Sequence, residues 1–118
     1  LEIAANLEMV DIATKFKPNS ICFVPENRQE ITTEGGLDVI NNFDHLKSII
    51  KKITDFDINL AIFLDPDIDQ LIATNKLGIN TIEFHTGSYA NAFAAKNNVD
   101  CVNFDYKFIF ISQNRKRC

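Results

Sequence analysis

An α/β fold assembled from parallel β/α units is what this sequence predicts, and three observations carry the prediction. Short apolar runs recur along the chain, and stretches of helical spacing lie between them. The third observation is length. The 118 residues hold between three and four units at the roughly 31 residues per unit of an eightfold barrel. Strands that alternate with helices pair in parallel rather than as hairpins. The two common homes for such units are an open doubly wound sheet and a closed (β/α)8 barrel. A complete barrel of roughly 250 residues is excluded by length. An open sheet of about five strands is also more than the chain holds, so part of a larger α/β fold is expected.

Each element follows from its spacing. Glu2–Met9 opens the chain as a candidate strand, with Asn6 and Glu8 on one face and Leu7 and Met9 on the other. Ser20–Glu26 (SICFVPE) is the second apolar run. In Asn42–Phe56 the residues Phe43, Leu46, Ile49, Ile50 and Ile53 fall at helix spacing, with Asn41 or Asn42 as the cap. Ile58–Asp65 (INLAIFLD) reads as a further strand. Asp65–Leu77 then reads as a helix, with Asp65 at the N-cap, Pro66 at the first helical position and Asp67 complementing the dipole. Ile68, Leu71 and Ile72 form its expected buried stripe, and Gly78 suits the left-handed C′ position. Thr81–Gly87 (TIEFHTG) is the last strand. Ile82 and Phe84 share a face that packs under helices, while Thr81, Glu83 and His85 share the other.

Composition narrows the function classes. Apolar residues make up 46% and charged residues 24%, ordinary values for a globular chain. Twelve Lys and Arg against sixteen Asp and Glu leave a net charge of −4, so no basic field recommends nucleic acid as a partner. No apolar run approaches the ~20 residues of a membrane span. The opening LEIAANLEMVDIATKF has no basic segment followed by an apolar stretch, so no secretory signal is read there. The missing initiator Met places the expected N-terminus upstream. Cys22, Cys101 and Cys118 form no CxxC pair and cannot all pair internally. A cytoplasmic, reducing location is therefore expected, with Cys22 as a core residue. No His/Cys/Asp cluster has metal-ligand spacing, so no metal is expected.

The polar groups converge on one end of the expected strands. Glu8, Glu26, Asp65 and Glu83 lie at or near the carboxyl ends of four successive strands, the rim where parallel β/α folds carry catalytic groups. Asp65 reads first as a helix cap, and Glu26 either pairs with Arg28 or serves the rim. Glu8 and Glu83 sit inside strands, where a carboxylate is unfavourable without a partner or a task. His45 lies off the apolar stripe and reads as a surface histidine. His85 shares a face with Glu83, within reach of an orienting hydrogen bond. The segment NRQEITTEGGLD after Glu26 exceeds the ~2–6 residues of an ordinary βα loop. Arg28, Thr32, Thr33, Gly35 and Gly36 suit either oxyanion binding or a structured surface loop.

Taken together, Asn6-Leu7-Glu8-Met9, Lys17-Pro18, VPENRQEITTEGGLD (Val24–Asp38), IFLD and IEFHTGSYA (Ile82–Ala90) resemble the pyridoxine 5′-phosphate synthase family. The resemblance runs from about Ala5 to about Ala95. It implies a partial (β/α)8 TIM barrel, with residues 1–95 supplying about strands three to six and residues 96–118 a divergent tail. It further implies a cytoplasmic enzyme, octameric when complete, without metal or organic cofactor. The implied reaction condenses 3-amino-2-oxopropyl phosphate with 1-deoxy-D-xylulose 5-phosphate to pyridoxine 5′-phosphate, phosphate and water. By the same resemblance Glu8 of NLEM matches a general acid/base, Glu83 of IEFHTG a transition-state stabiliser, and Thr32 of TTEGG a substrate-binding residue.

The departures shape the expectation too. The family's two catalytic histidines and its main arginine clamp lie on segments outside this stretch, and His45 does not stand in for them. The stretch between Glu8 and Lys17 is several residues shorter than the family pattern. The tail VDCVNFDYKFIFISQNRKRC ends in an apolar strand pattern with an aggregation hazard. A truncated, inactive fragment of the synthase is the expectation. The competing readings are a non-catalytic remnant binding phosphate or a partner, and another phosphosugar barrel enzyme.

Overall fold

Strands and helices alternate as the spacing predicts: β1 (Glu2–Ala4), α1 (Leu7–Phe16), β2 (Ser20–Val24), α2 (Phe43–Ile53), β3 (Asn59–Leu64), α3 (Ile68–Lys76) and β4 (Thr81–Phe84). This computed structural model describes residues 1–26 and 35–87. The chain divides into two units, Leu1–His85 and Thr86–Cys118, and the first holds all seven elements.

The four strands are parallel and stand in sequence order, β1-β2-β3-β4. A doubly wound sheet reverses its winding at a switch point, and no reversal occurs here. Winding in one direction is what a barrel does, so the architecture is consistent with part of a (β/α)8 barrel.

Winding of this kind separates the two faces of the sheet. Ile3, Ile21, Phe23, Ile62 and Leu64 alternate onto one face and are fully buried. Helices α1 and α3 lie against β1 and β3, and α1 against α2, contributing buried Val10, Ala13, Leu46, Ile49, Ile53 and Leu71. Each large side chain so buried stabilises by roughly 1.5–3 kcal/mol. The other face carries Glu2, Cys22, Ala61 and Thr81 in one row across the sheet, and Phe63 beside Glu83 in the next.

Two elements differ from the spacing argument. The first strand ends at Ala4, and Glu8 lies on helix α1 rather than in a strand. Asn6 causes the switch. Its backbone is extended, and its Oδ1 accepts the Met9 N–H at 2.9 Å, which satisfies one of the unpaired N–H groups of the first turn. Four alternating residues fit a strand and a helix start equally well. Here the cap decides. The helix ends at Lys17 in the left-handed conformation, with Pro18 behind it.

The second difference is the start of α3. Its N-cap is Asp67, whose Oδ1 accepts N–H groups from Asp69 at 2.8 Å and Gln70 at 3.1 Å. Asp65 is therefore not the cap. The buried face of the helix also differs: Ile68 and Ile72 are exposed at 42% and 48%, while Leu71, Ala73 and Thr74 are buried. Thr74 satisfies its hydroxyl on the Gln70 carbonyl at 2.9 Å. Gly78 does take a positive φ of 82° just after the Leu77 cap.

Helix α2 starts from a small polar turn. Asp38 accepts from the Asn41 backbone and side chain and from Gln70 Nε2, which holds its carboxyl below the usual range. Gln70 Oε1 in turn accepts the Val39 N–H at 2.8 Å, tying this turn to α3. His45 is exposed on α2 as expected, but its Nε2 reaches the Ala5 carbonyl at 2.6 Å.

Candidate active site at the carboxyl ends of the strands

The strand ladders continue beyond their last paired residues as pairs of polar side chains. Ala4 stands beside Val24 in the β1–β2 register, and two residues further Asn6 Nδ2 donates to Glu26 Oε1 at 2.9 Å. Leu64 stands beside Phe84 in the β3–β4 register. One residue further, Asp65 Oδ1 lies 3.1 Å from His85 Nδ1. Both pairs sit on the rim where each strand gives way to its helix or loop.

Glu83 points from the face opposite the helices, as the alternation of Thr81, Glu83 and His85 predicts. Its carboxylate faces the Cys22 thiol on β2 closely enough to act on it. Ala61, between the two strands in the same row as Cys22, offers only a methyl group between them. Burial and the Glu83 carboxylate push the Cys22 thiol up to about 12. Cys22 is buried as a core residue would be. Its partner, however, is polar, and it faces away from the apolar core.

Glu8 lies in the first turn of α1 and is exposed. It stays at the rim because α1 begins there, but burial among strand side chains is not its environment. Glu26 is exposed and meets Asn6. Its other expected partner, Arg28, lies outside the described residues, as does Thr32.

The glycines of the long loop have a defined task at their described end. A Cβ on Gly36 would fall 2.2 Å from the Asp65 nitrogen and 2.3 Å from the Leu64 carbonyl carbon. Only a glycine lets this backbone lie against the end of β3. Gly35 has a φ of 142°, and a Cβ there would stand 3.2 Å from Asp65 Oδ2. Next in the chain, the Leu37 N–H donates to the Phe63 carbonyl at 2.8 Å. Residues 35–37 are thus seated on β3, beside Asp65.

Spacing alone missed the Asp65–His85 and Asn6–Glu26 pairs. The usable signal was the doubled aspartate in Asp65-Pro66-Asp67: one helix start uses one cap, which leaves the other carboxylate for a different partner. A cavity of about 420 Å³ lies between the start of α2 and α3, lined by Ile40, Phe43, Asp69, Ile72, Ala73 and Lys76. None of the rim residues lines it. Among the described residues no three His, Cys, Asp or Glu side chains cluster as metal ligands, and no helix is long and apolar enough to cross a membrane.

Comparison with known proteins adds a second line of observation. Residues 1–105 match the family model described as pyridoxal phosphate biosynthesis protein PdxJ. The pyridoxine 5′-phosphate synthase of Ehrlichia canis (strain Jake) is 52% identical over 91 residues, 77% of this chain and 38% of the relative. That of Sulfurihydrogenibium sp. (strain YO3AOP1) is 50% identical over 93 residues, 79% of this chain and 38% of the relative. The synthase of Blochmanniella pennsylvanica (strain BPEN) is 46% identical over 109 residues, 92% of this chain and 43% of the relative. The chain spans about two fifths of the length of the curated relatives it matches.

Proposed function

The chain belongs to the PdxJ family of pyridoxal phosphate biosynthesis proteins, and from that premise we propose that it carries part of a pyridoxine 5′-phosphate synthase active site. The reaction is condensation of 3-amino-2-oxopropyl phosphate with 1-deoxy-D-xylulose 5-phosphate to pyridoxine 5′-phosphate, phosphate and water, in the cytoplasm. Residues 1–95 supply about strands three to six of the barrel, and residues 96–118 form a divergent tail. The complete assembly is a homo-octamer working without a metal or organic cofactor. The observation that carries this reading is the carboxylate-bearing rim of a sheet wound in one direction, in a chain matching the family over residues 1–105.

The chemistry gives the rim residues distinct tasks. Imine formation, loss of phosphate and ring closure each move protons, and a carboxylate at the rim can take and return them. Glu8 has that role. Glu83 stabilises positive character on nitrogen as the imine forms. Thr32 holds substrate oxygens by hydrogen bonding. The family's histidine and arginine groups are supplied from outside this stretch, so the chain alone is expected to be inactive.

A chimera tests the reading: the Ehrlichia canis synthase with its matching stretch replaced by this chain's. Mass spectrometry should find pyridoxine 5′-phosphate when both substrates are supplied. Glu8→Gln should lower kcat by ~10²–10⁴-fold, the range of general acid–base contributions, and Glu83→Gln by ~10²–10³-fold, the range for loss of one electrostatic stabiliser. A chimera that makes no product, or a Glu8→Gln chimera at full turnover, overturns the assignment.

A further inference from the structure

We propose that Asp65 and His85 form an oriented acid–base pair at the strand rim, with His85 the proton-transfer residue and Asp65 the residue that fixes its tautomer. The use of the pair in catalysis rests on the synthase reading above; the pairing itself does not.

The argument begins with a carboxylate left over. Asp67 caps α3, so Asp65 is free to turn to β4, where its Oδ1 meets His85 Nδ1 at 3.1 Å. A carboxylate only accepts, so in the neutral imidazole the proton is on Nδ1 and the lone pair on Nε2. The ring is held from a second side by the edge of Phe63, with centroids 5.6 Å apart and planes at 72°. Its backbone is held as well, the His85 N–H donating to the Leu64 carbonyl at 2.7 Å. Around Asp65, Gly36 packs close against its backbone, and a Cβ on Gly35 would stand 3.2 Å from its Oδ2. A merely superficial ion pair has no such framing.

The position suits proton transfer. The His85 and Asp65 side chains are 26% and 48% exposed, open enough to reach a ligand. His85 shares the sheet face of Glu83, two residues nearer the rim, about 7 Å along the strand. A small phosphorylated substrate bridges that span. In the cycle, Nε2 takes the proton that the substrate loses from nitrogen or carbon, and the imidazolium waits beside the Asp65 carboxylate. It then returns that proton to the hydroxyl leaving as water. The enzyme ends as it began, and the substrate has lost one molecule of water.

The two histidines of the chain make a paired test. His45 Nε2 faces the Ala5 carbonyl at 2.6 Å. A carbonyl also only accepts, so His45 carries its proton on Nε2. In the full 118-residue chain labelled with ¹⁵N-histidine, at a pH where both rings are neutral, the two residues should show opposite tautomers. Asp65→Ala should move His85 Nε2 from its lone-pair shift toward its N–H shift and leave His45 in place. A His85 sharing the tautomer of His45 in the wild-type chain overturns the pair, as does a His85 signal unmoved by Asp65→Ala. In the chimera described above, His85→Gln should lower kcat by ~10²–10⁴-fold with KM little changed. Full turnover there overturns the proton-transfer role. A parent chimera without product counts against the synthase reading, and the tautomers still decide the pair.

Discussion

A thiol beside a carboxylate is the clearest case of one residue's surroundings setting its chemistry. Cys22 is 5% exposed, and burial, with the carboxylates of Glu83 and Glu2 nearby, pushes its thiol up to about 12. In the unfolded chain a cysteine titrates near 8.5. Between those values the folded state keeps a proton that the unfolded state has released. Stability contributed by the neutral thiol is therefore complete below about 8.5 and falls as pH rises toward 12, with a slope of at most ~1.4 kcal/mol per pH unit. Urea unfolding measured at about pH 8 and about pH 10.5, either side of most of that window, should show this loss in the wild-type chain, and Cys22→Ser should lack that component. Equal pH dependence in both proteins would show that burial and the Glu83 carboxylate do not hold the proton. Because the thiolate is the nucleophile, iodoacetamide should also label Cys22 far more slowly in the folded chain than in urea.

Helix starts decide much of the fold, and they divide what was legible in the sequence from what was not. Strands β2, β3 and β4 all lie within the apolar runs that announce them, because runs of Ile, Phe, Leu and Val fit a buried parallel sheet. The stop at Gly78 was equally plain. The two helix starts were not, since Asn6 and Asp67 act through a side-chain oxygen whose use depends on local backbone geometry. Nor were the rim pairs, because strand register is set between segments rather than within one. Asn6 joins both problems: Oδ1 caps α1 while Nδ2 holds Glu26. Asn6→Ala should therefore destabilise the chain by ~1 kcal/mol or more, at least the loss of a cap. Asn6→Asp keeps the cap but sets a carboxylate against Glu26. Adding Glu26→Gln should therefore restore stability to the Asn6→Asp variant and give no such gain in the wild-type chain. Gly36→Ala should cost about 1–3 kcal/mol, as overpacking does, because its Cβ meets backbone at the end of β3 rather than a side chain that can swing away. Chemical denaturation checks all three.

Sequence-ordered winding gives the sheet two unequal faces and two unequal kinds of strand. One face is sealed by helices; the other presents Glu2, Cys22, Thr81, Glu83 and His85, which is why chemistry-bearing residues gather there without disturbing the core. Within the four-stranded sheet, β2 and β3 have partners on both sides, while β1 and β4 are its terminal strands. Ile21, Phe23, Ile62 and Leu64 of the inner strands are also fully buried. Opening them requires breaking two ladders and exposing the core together, whereas β1 can detach by losing three residues of pairing. Hydrogen exchange should therefore be graded across the sheet. Amides of 21–23 and 61–64 should exchange slowest, near the rate set by global unfolding, with those of β1 exchanging faster. If β1 and β2 amides exchanged at one rate, the sheet would open as a single unit. The rim pair Asn6–Glu26, which bridges those two strands, would then be the contact to remove first: Asn6→Ala should release β1 from β2 while leaving β3 protected.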